Sequence, residues 1–172
     1  IPFVYVEDEL IGKIEAEDII HDSVRVDSVK AIKSTIERAK VSSEIDVRQV
    51  SEIVNKILDD IASAPNLMVS FLDMRTQSLH LFNHSVSVAV LSILTGKVAQ
   101  LNATKIKHLA MGAILHDIGR SLVQNEEHTT MGFELIRKNR EINLASAHIA
   151  YQHHERYDGK GYPRGLKGEE IH

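Results

Sequence analysis

The fold is decided by residues 79–118, which read LHLFNHSVSVAVLSILTGKVAQLNATKIKHLAMGAILHDI. Apolar residues dominate this stretch, and it predicts two helices, Leu79–Gln100 and Thr104–Ile118, with Gly119 placed to cap the second. The uncharged stretch Ser78–Gly96 is nearly long enough to cross a bilayer, but it carries two histidines, an asparagine and several serines. We therefore expect a buried helix of a cytoplasmic protein and no membrane insertion of this fragment.

Helical spacing of apolar residues continues on both sides of this pair. The other predicted helices are one that begins at Val24, one over 46–61, a short one over 67–74, and two over 129–138 and 143–155. Only residues 158–168, with four glycines and one proline, are predicted to form a loop. No internal repeat is visible, and the pattern predicts an all-α helical bundle.

The N-terminal part of the chain differs from the rest. Residues 3–6 predict a short strand, and residues 1–45 are expected to form an ancillary segment, a strand and a helix, before a domain over 46–172. The chain starts at Ile1 without a leader pattern, so we expect a truncated fragment of a longer protein. The acidic helices of residues 24–63 are interpreted as the flank of the bundle. The alternative, that they form the contact surface of a homodimer, is left open.

Composition narrows the classes of function. The 172 residues suffice for one well-buried domain, and the absence of cysteine excludes a disulfide scaffold and a thiolate zinc site. The formal net charge of −4 argues against general binding of DNA or RNA polymers. Nine of the ten histidines follow residue 61, so the chemistry is expected in the second part of the chain.

A histidine–aspartate pair, His116 and Asp117, closes the second central helix. Its carboxylate could bridge two metal ions, and imidazole is a ligand for Zn, Fe, Ni or Cu. Taken alone, a histidine at a helix end is more often a structural residue. His84 lies in the preceding apolar helix with His80 one turn earlier, and either a metal or backbone carbonyls would satisfy their ring nitrogens.

Two adjacent histidines, His153 and His154, give the sharpest signal. Neighbouring residues on a helix point about 100° apart, so they bind one ion poorly but can serve two ions about 3.5–4 Å apart where a helix ends. His128 heads another predicted helix. With His84, His116 and Asp117 these side chains form an N/O donor set that suits a dinuclear site for Fe, Mn or Zn.

The loop after this pair contains Gly161, Tyr162 and Pro163, followed by the cations Arg164 and Lys167. Its glycines allow close backbone approach, its cations suit phosphate, and its tyrosine offers a ring face for a base. Beside a dinuclear site this combination predicts phosphodiester hydrolysis. The alternative is a plain surface loop, because glycine and proline are common in turns.

The strings HDIGR (116–120) and HHERYDGKGYPRGLKGEEI (153–171), with the separate His128, resemble the HD-GYP family of bacterial cyclic di-GMP phosphodiesterases, a branch of the HD phosphohydrolases. The resemblance covers roughly residues 46–172. It implies an HD-type helical bundle and a hydrolase that cuts cyclic di-GMP to the linear dinucleotide or to GMP in second-messenger signalling.

The resemblance also implies a role for each matching residue. Two divalent ions, Fe or Mn in preference to Zn, would be held by His84, His116, Asp117, His128, His153 and His154, with Asp117 bridging. A third ion could use His80. Asp117 and Arg120 would be catalytic, the arginine by stabilising charge on phosphate oxygens. The residues implied to contact substrate are Gly161, Tyr162, Pro163, Arg164 and Lys167.

The chain departs from the family pattern at several positions. Arg120 stands where the family usually has Lys, Ser78 and His80 stand where it often has Asp and Tyr, and the connection from Arg120 to His128 is short. The family also has an Asp ligand downstream of the position of His172. Two alternatives therefore stay open: a degenerate member that binds a nucleotide or partner without turnover, and an HD phosphohydrolase that acts on another nucleotide.

Overall fold

A computed structural model describes residues 19–63 and 81–172, and these residues confirm the all-α prediction. The helices are α1 (Asp22–Ser42), α2 (Val47–Ser63), α3 (Leu81–Val98), α4 (Ala103–Leu115), α5 (His128–Arg137) and α6 (Leu144–Gln152), with short 3-10 helices at Ile118–Ser121 and Gly168–Glu170. Within the described ranges, no helix has the length and apolar content needed to cross a bilayer. The predicted strand at 3–6, the predicted helix over 67–74 and His80 lie outside the described residues.

The first two helices form the flank of the bundle. Apolar residues of α2 recur at threes and fours, and Val50, Val54 and Ile57 are fully buried. Burial of each such side chain stabilises the fold by about 1.5–3 kcal/mol. Asp46 begins α2, because its carboxylate accepts the Gln49 backbone N–H at 3.0 Å. Helix α1 packs against α2, α3 and the first 3-10 helix.

Helices α3, α4 and α6 form the centre of the bundle. Helix α4 packs against α3 on one side and α6 on the other, while α5 packs against α6. The Ser146 hydroxyl, which is buried on α6, donates to the His108 carbonyl of α4 at 2.7 Å. This hydrogen bond fixes the position of one helix along the other.

The end of α4 differs from the prediction. The α-helix ends at Leu115, and Gly119 does not cap it but lies inside the 3-10 helix Ile118–Ser121. The reason is a close approach between segments, because a Cβ built on Gly119 would clash with the His128 carbonyl and lie 2.6 Å from the Gly132 backbone nitrogen. The backbone therefore turns early and brings Asp117 next to the start of α5.

The end of α6 also comes earlier than predicted. The helix ends at Gln152, and His153 occupies the capping position, so His154 and Glu155 lie beyond the helix. The two neighbouring imidazoles have ring centroids 4.2 Å apart and planes tilted by 45°. Both rings consequently reach the same region of the molecule.

We predict that Gly119→Ala lowers the free energy of unfolding by about 1–3 kcal/mol, because the added methyl group meets the rigid backbone of α5. The matched control is Gly96→Ala in α3, where the nearest atom to a new Cβ is a flexible Leu109 methyl at 3.2 Å and alanine favours the helix. Urea unfolding of the two variants provides the measurement. Equal stability of the two variants would contradict the close-approach explanation.

Candidate metal centre

Three histidine rings of the site are oriented by the same kind of hydrogen bond to a backbone carbonyl. The Nδ1 atoms of His116, His128 and His153 lie 2.7, 2.7 and 3.0 Å from the carbonyl oxygens of Ala113, Asn125 and Ala150, each three residues earlier. Because a carbonyl only accepts, Nδ1 carries the proton and donates it. The Nε2 atom of each ring is left with a lone pair, which is the state that binds a metal.

These Nε2 atoms converge on the carboxylate of Asp117. His128 and His153 lie 3.3 and 3.4 Å from Oδ1, and His116 lies 3.5 Å from Oδ2. The Nε2 atoms of His128 and His153 are also only 3.4 Å apart. Lone pairs and a carboxylate that face one another at these distances repel unless a cation lies among them.

Burial keeps the imidazoles uncharged. It lowers the pKa of His116 to about 4, although the Asp117 carboxylate opposes the change. Burial also lowers the pKa of His128, and together with the charges of His153 and His128 it lowers the pKa of His154 to about 4. Neutral imidazole is the form that coordinates metal ions, so these rings are ready for ions at neutral pH.

Asp117 is a buried carboxylate held in its charged form. Burial would raise its pKa, but the contact with the permanently charged Arg120 lowers it, and the pKa lies well below the usual range. The Arg120 Nε atom lies 2.8 Å from Asp117 Oδ1, and the Arg120 side chain is 27% exposed. The guanidinium group therefore pairs with the carboxylate through Nε while the side chain stays partly exposed.

The ligand atoms form two groups that share one residue. The first consists of His84, His116 and Asp117, and the second of Asp117, His128, His153 and His154. Within each group the ligand atoms lie within 4.8 Å of one another. A carboxylate common to two adjoining groups can contribute one oxygen to each of two ions.

His154 is the clearest sign that a group is needed here. Its Nε2 atom is buried and makes no hydrogen bond, and such an atom costs free energy unless it finds a partner. Its ring stacks against Tyr162, with centroids 4.5 Å apart and planes 19° from parallel. The orphaned nitrogen, the neutral rings and the N/O donor set all fit divalent ions.

The loop after α6 is held against the ligands by its backbone. The Tyr162 N–H donates to the His154 carbonyl at 3.2 Å, and the space for a Cβ at Gly161 is filled by His154 and Arg156 backbone atoms. Glycine is therefore required at position 161. The peptide bond between Tyr162 and Pro163 is cis.

The structure brings most of the predicted site residues together and separates others. All six candidate ligands among the described residues, together with Arg120 and Tyr162, lie in one region. The Tyr162 ring, expected to offer a face to a base, has one face on His154. Burial and the charges of His172 and Arg164 lower the pKa of His148, which is not one of the candidate ligands. Lys167 caps the last 3-10 helix.

Sequence reasoning did not assign a role to Glu155. Its carboxylate accepts the backbone N–H groups of Arg164 at 2.8 Å and Leu166 at 2.9 Å. The only signal was its place directly after the two histidines, in the HHE string.

An all-α bundle with two adjoining His/Asp groups at its helix ends has the make-up of a metal-binding domain. A family model for the HD domain matches residues 81–172, which is more than half of the chain. The chain belongs to the HD domain family, and its similarity to relatives named as cyclic di-GMP phosphodiesterases is consistent with the HD-GYP branch of that family.

Curated relatives carry three kinds of name. The cyclic di-GMP phosphodiesterase PA4108 of Pseudomonas aeruginosa is 26% identical, over 90% of this chain and 42% of the relative. The 3'3'-cGAMP-specific phosphodiesterase 1 of Vibrio cholerae is 30% identical, over 66% of this chain and 30% of the relative. Ribonuclease Y of Thermotoga maritima is 30% identical, over 80% of this chain and 28% of the relative. The chain thus spans less than half the length of each of these relatives.

The lowered imidazole pKa values predict acid sensitivity of the metal-free chain. A histidine whose folded pKa is about 4 binds its proton more readily in the unfolded state, so stability falls as the pH drops from about 6.5 to about 4. His116 alone should contribute a loss of about 3 kcal/mol. Urea unfolding in a chelator across this range gives the measurement. His116→Asn should show a shallower dependence, and an unchanged slope would contradict the assignment.

The stacking of Tyr162 on His154 predicts a selective effect on ion binding. Tyr162→Leu should weaken one of two Mn²⁺ sites by about 10–100-fold, because His154 loses the ring that orients it. Tyr157→Leu is the matched control, since Tyr157 lies in the same loop and is 78% exposed. Titration followed by electron paramagnetic resonance measures both sites. Equal weakening by the two variants would contradict the role of the stack.

Proposed function

We propose that this chain is the catalytic domain of a metal-dependent phosphodiesterase that hydrolyses cyclic di-GMP to the linear dinucleotide or to GMP. The observation that carries the proposal is the pair of ligand groups that share Asp117. The match of the chain to the HD family and the name of the Pseudomonas aeruginosa relative support the substrate class. The domain boundary at residue 46 and a location in the cytoplasm remain part of this proposal.

The two groups define which residues would hold each ion. The first ion would be held by His84, His116 and Asp117, and the second by Asp117 with the remaining three histidines. When bound, two such ions supply an activated water and neutralise charge on the phosphate oxygens. The donor set holds nitrogen and oxygen atoms and no thiolate, which suits Fe, Mn or Zn, and the family resemblance favours Fe or Mn among them.

Arg120 has two tasks in this proposal. Its Nε donor engages Asp117, which keeps the carboxylate charged and in place. The two Nη groups are further donors, and a planar fork of donors suits a phosphate group. A lysine could perform one of these tasks at a time, so arginine at this position allows the carboxylate and the substrate to be held together.

Two alternatives have specific support and are distinguished by substrate. The Vibrio cholerae relative is named for 3'3'-cGAMP, and ribonuclease Y is named for RNA. A chain that binds cyclic di-GMP without product would instead be a degenerate member that acts by binding.

The deciding experiment measures turnover by the purified chain, loaded anaerobically with Fe²⁺ or Mn²⁺, with products separated by chromatography. We expect metal-dependent hydrolysis of cyclic di-GMP in preference to 3'3'-cGAMP and an RNA oligonucleotide. Asp117→Ala should lose bound ions and fall to the level of a chelated control while its helical circular dichroism is unchanged, since the shared ligand is removed. Turnover that survives in this variant would contradict the mechanism, and preference for RNA would contradict the substrate.

A further inference from the structure

The turn that leads into α5 holds the His128 ring through one backbone carbonyl. The carbonyl oxygen of Asn125 lies 2.7 Å from the His128 Nδ1 atom and also accepts the His128 backbone N–H at 3.1 Å. His128 is buried, whereas Asn125 and the two residues after it are exposed. The orientation of a buried candidate ligand therefore depends on the direction of a peptide group at the surface.

The side chain of Asn125 fixes the direction of that peptide group. Its Oδ1 atom accepts the Glu127 backbone N–H at 3.1 Å, which closes a turn of the Asx type. The side chain and the carbonyl of one residue thus accept the N–H groups two and three positions later. Loss of Oδ1 would free the peptide group on one side and let the carbonyl turn away from the ring.

Other contacts hold the start of α5 independently of the Asn125 side chain. The Gln124 side chain donates to the Arg120 carbonyl. The buried Thr129 hydroxyl donates to the Glu126 carbonyl at 3.0 Å. A change of the Asn125 side chain should therefore alter the direction of one carbonyl and leave the helix in place.

The start of α6 has the same turn without a candidate ligand in it. Asn143 Oδ1 accepts the Ala145 backbone N–H at 2.8 Å, and the Asn143 carbonyl accepts the Ser146 backbone N–H at 2.9 Å. The third residue after the asparagine is a serine in this turn and His128 in the other. The turn before α5 thus follows a common pattern for a helix start, with an imidazole as an additional donor to the carbonyl.

We infer that Asn125 is a positioning residue, which orients the His128 ring for the second of the two proposed ions. The inference rests on the metal centre of the proposed function. A ring whose Nδ1–H group has lost its acceptor can carry the proton on Nε2 instead, where it would occupy the lone pair that the metal needs. Partners that orient a ligand are typically worth about 10–100-fold in metal affinity.

The test is Asn125→Ala, titrated with Mn²⁺ while electron paramagnetic resonance measures the free ion. We expect one of two ions to bind about tenfold more weakly and the other to bind as before. In the metal-free variant, ¹⁵N NMR should show less of the Nδ1-protonated form of His128 than in the wild type. Asn125→Ser keeps a neutral acceptor that forms such a turn more weakly, so it should recover part of the lost affinity.

Two further variants separate positioning from a general loss of stability. Asn143→Ala removes the matching side-chain hydrogen bond at the start of α6, so it should lower the urea midpoint to a similar extent and leave the affinity for both ions unchanged. His128→Ala should weaken the same ion as Asn125→Ala. The double variant should bind that ion no more weakly than His128→Ala alone, because the two changes act on one ring.

Three results would overturn the inference: unchanged affinity for both ions in Asn125→Ala, equal weakening of both, or a further loss of affinity in the double variant. The same weakening in Asn143→Ala would also overturn it, since the effect would then come from the stability of the helix starts. Failure of the proposed function would look different. It would show as a wild-type chain that binds two ions, with Asn125→Ala selectively weakening one, and that gives no product from cyclic di-GMP.

Discussion

A buried carboxylate surrounded by lone pairs is the constraint on which the rest of this structure depends. Asp117 lies within 3.5 Å of three imidazole nitrogens that carry no proton, and one arginine offsets its charge. Such a cluster is unfavourable without cations, so the bundle around it must be firm enough to hold it together. The fully buried isoleucines and valines of α2, α3 and α4 form that support. The favourable burial of apolar side chains thus offsets a polar centre that opposes folding in the metal-free state.

The ligands are oriented by the ordinary chemistry of helix ends. The carbonyls in the last turn of a helix have spare acceptor capacity, and the rings of His116 and His153 donate to carbonyls there at the ends of α4 and α6. His128 does the same with the turn that precedes α5. One hydrogen bond therefore satisfies a backbone oxygen and also fixes which ring nitrogen faces the centre. Three of the ligand histidines are thus fixed where helices start or stop, whereas His84 lies within α3.

The helices and the candidate ligands could be predicted from the sequence, whereas the helix ends and the loop contacts could not. Apolar spacing runs on through Ile118, which is buried, so periodicity extended α4 too far. The early turn arises from contact between Gly119 and the backbone of His128, a contact between segments that local patterns do not encode. The partners of Glu155 are backbone N–H groups, which every residue except proline possesses.

The hydrogen bond from Ser146 to the His108 carbonyl has a consequence for the geometry of the centre. A slip of α6 along α4 by a single residue would displace α6 by about 1.5 Å. This is nearly half of the 3.4 Å between His153 Nε2 and Asp117 Oδ1. The serine lies seven residues before His153, and the carbonyl eight residues before His116, so the bond acts about 11 Å from the ligands. The hydrogen bond thus joins α4 and α6 at one point, and the ligands lie at the ends of the same two helices. A remote, uncharged hydroxyl group thus contributes to the distance between the ligands at the ends of α4 and α6.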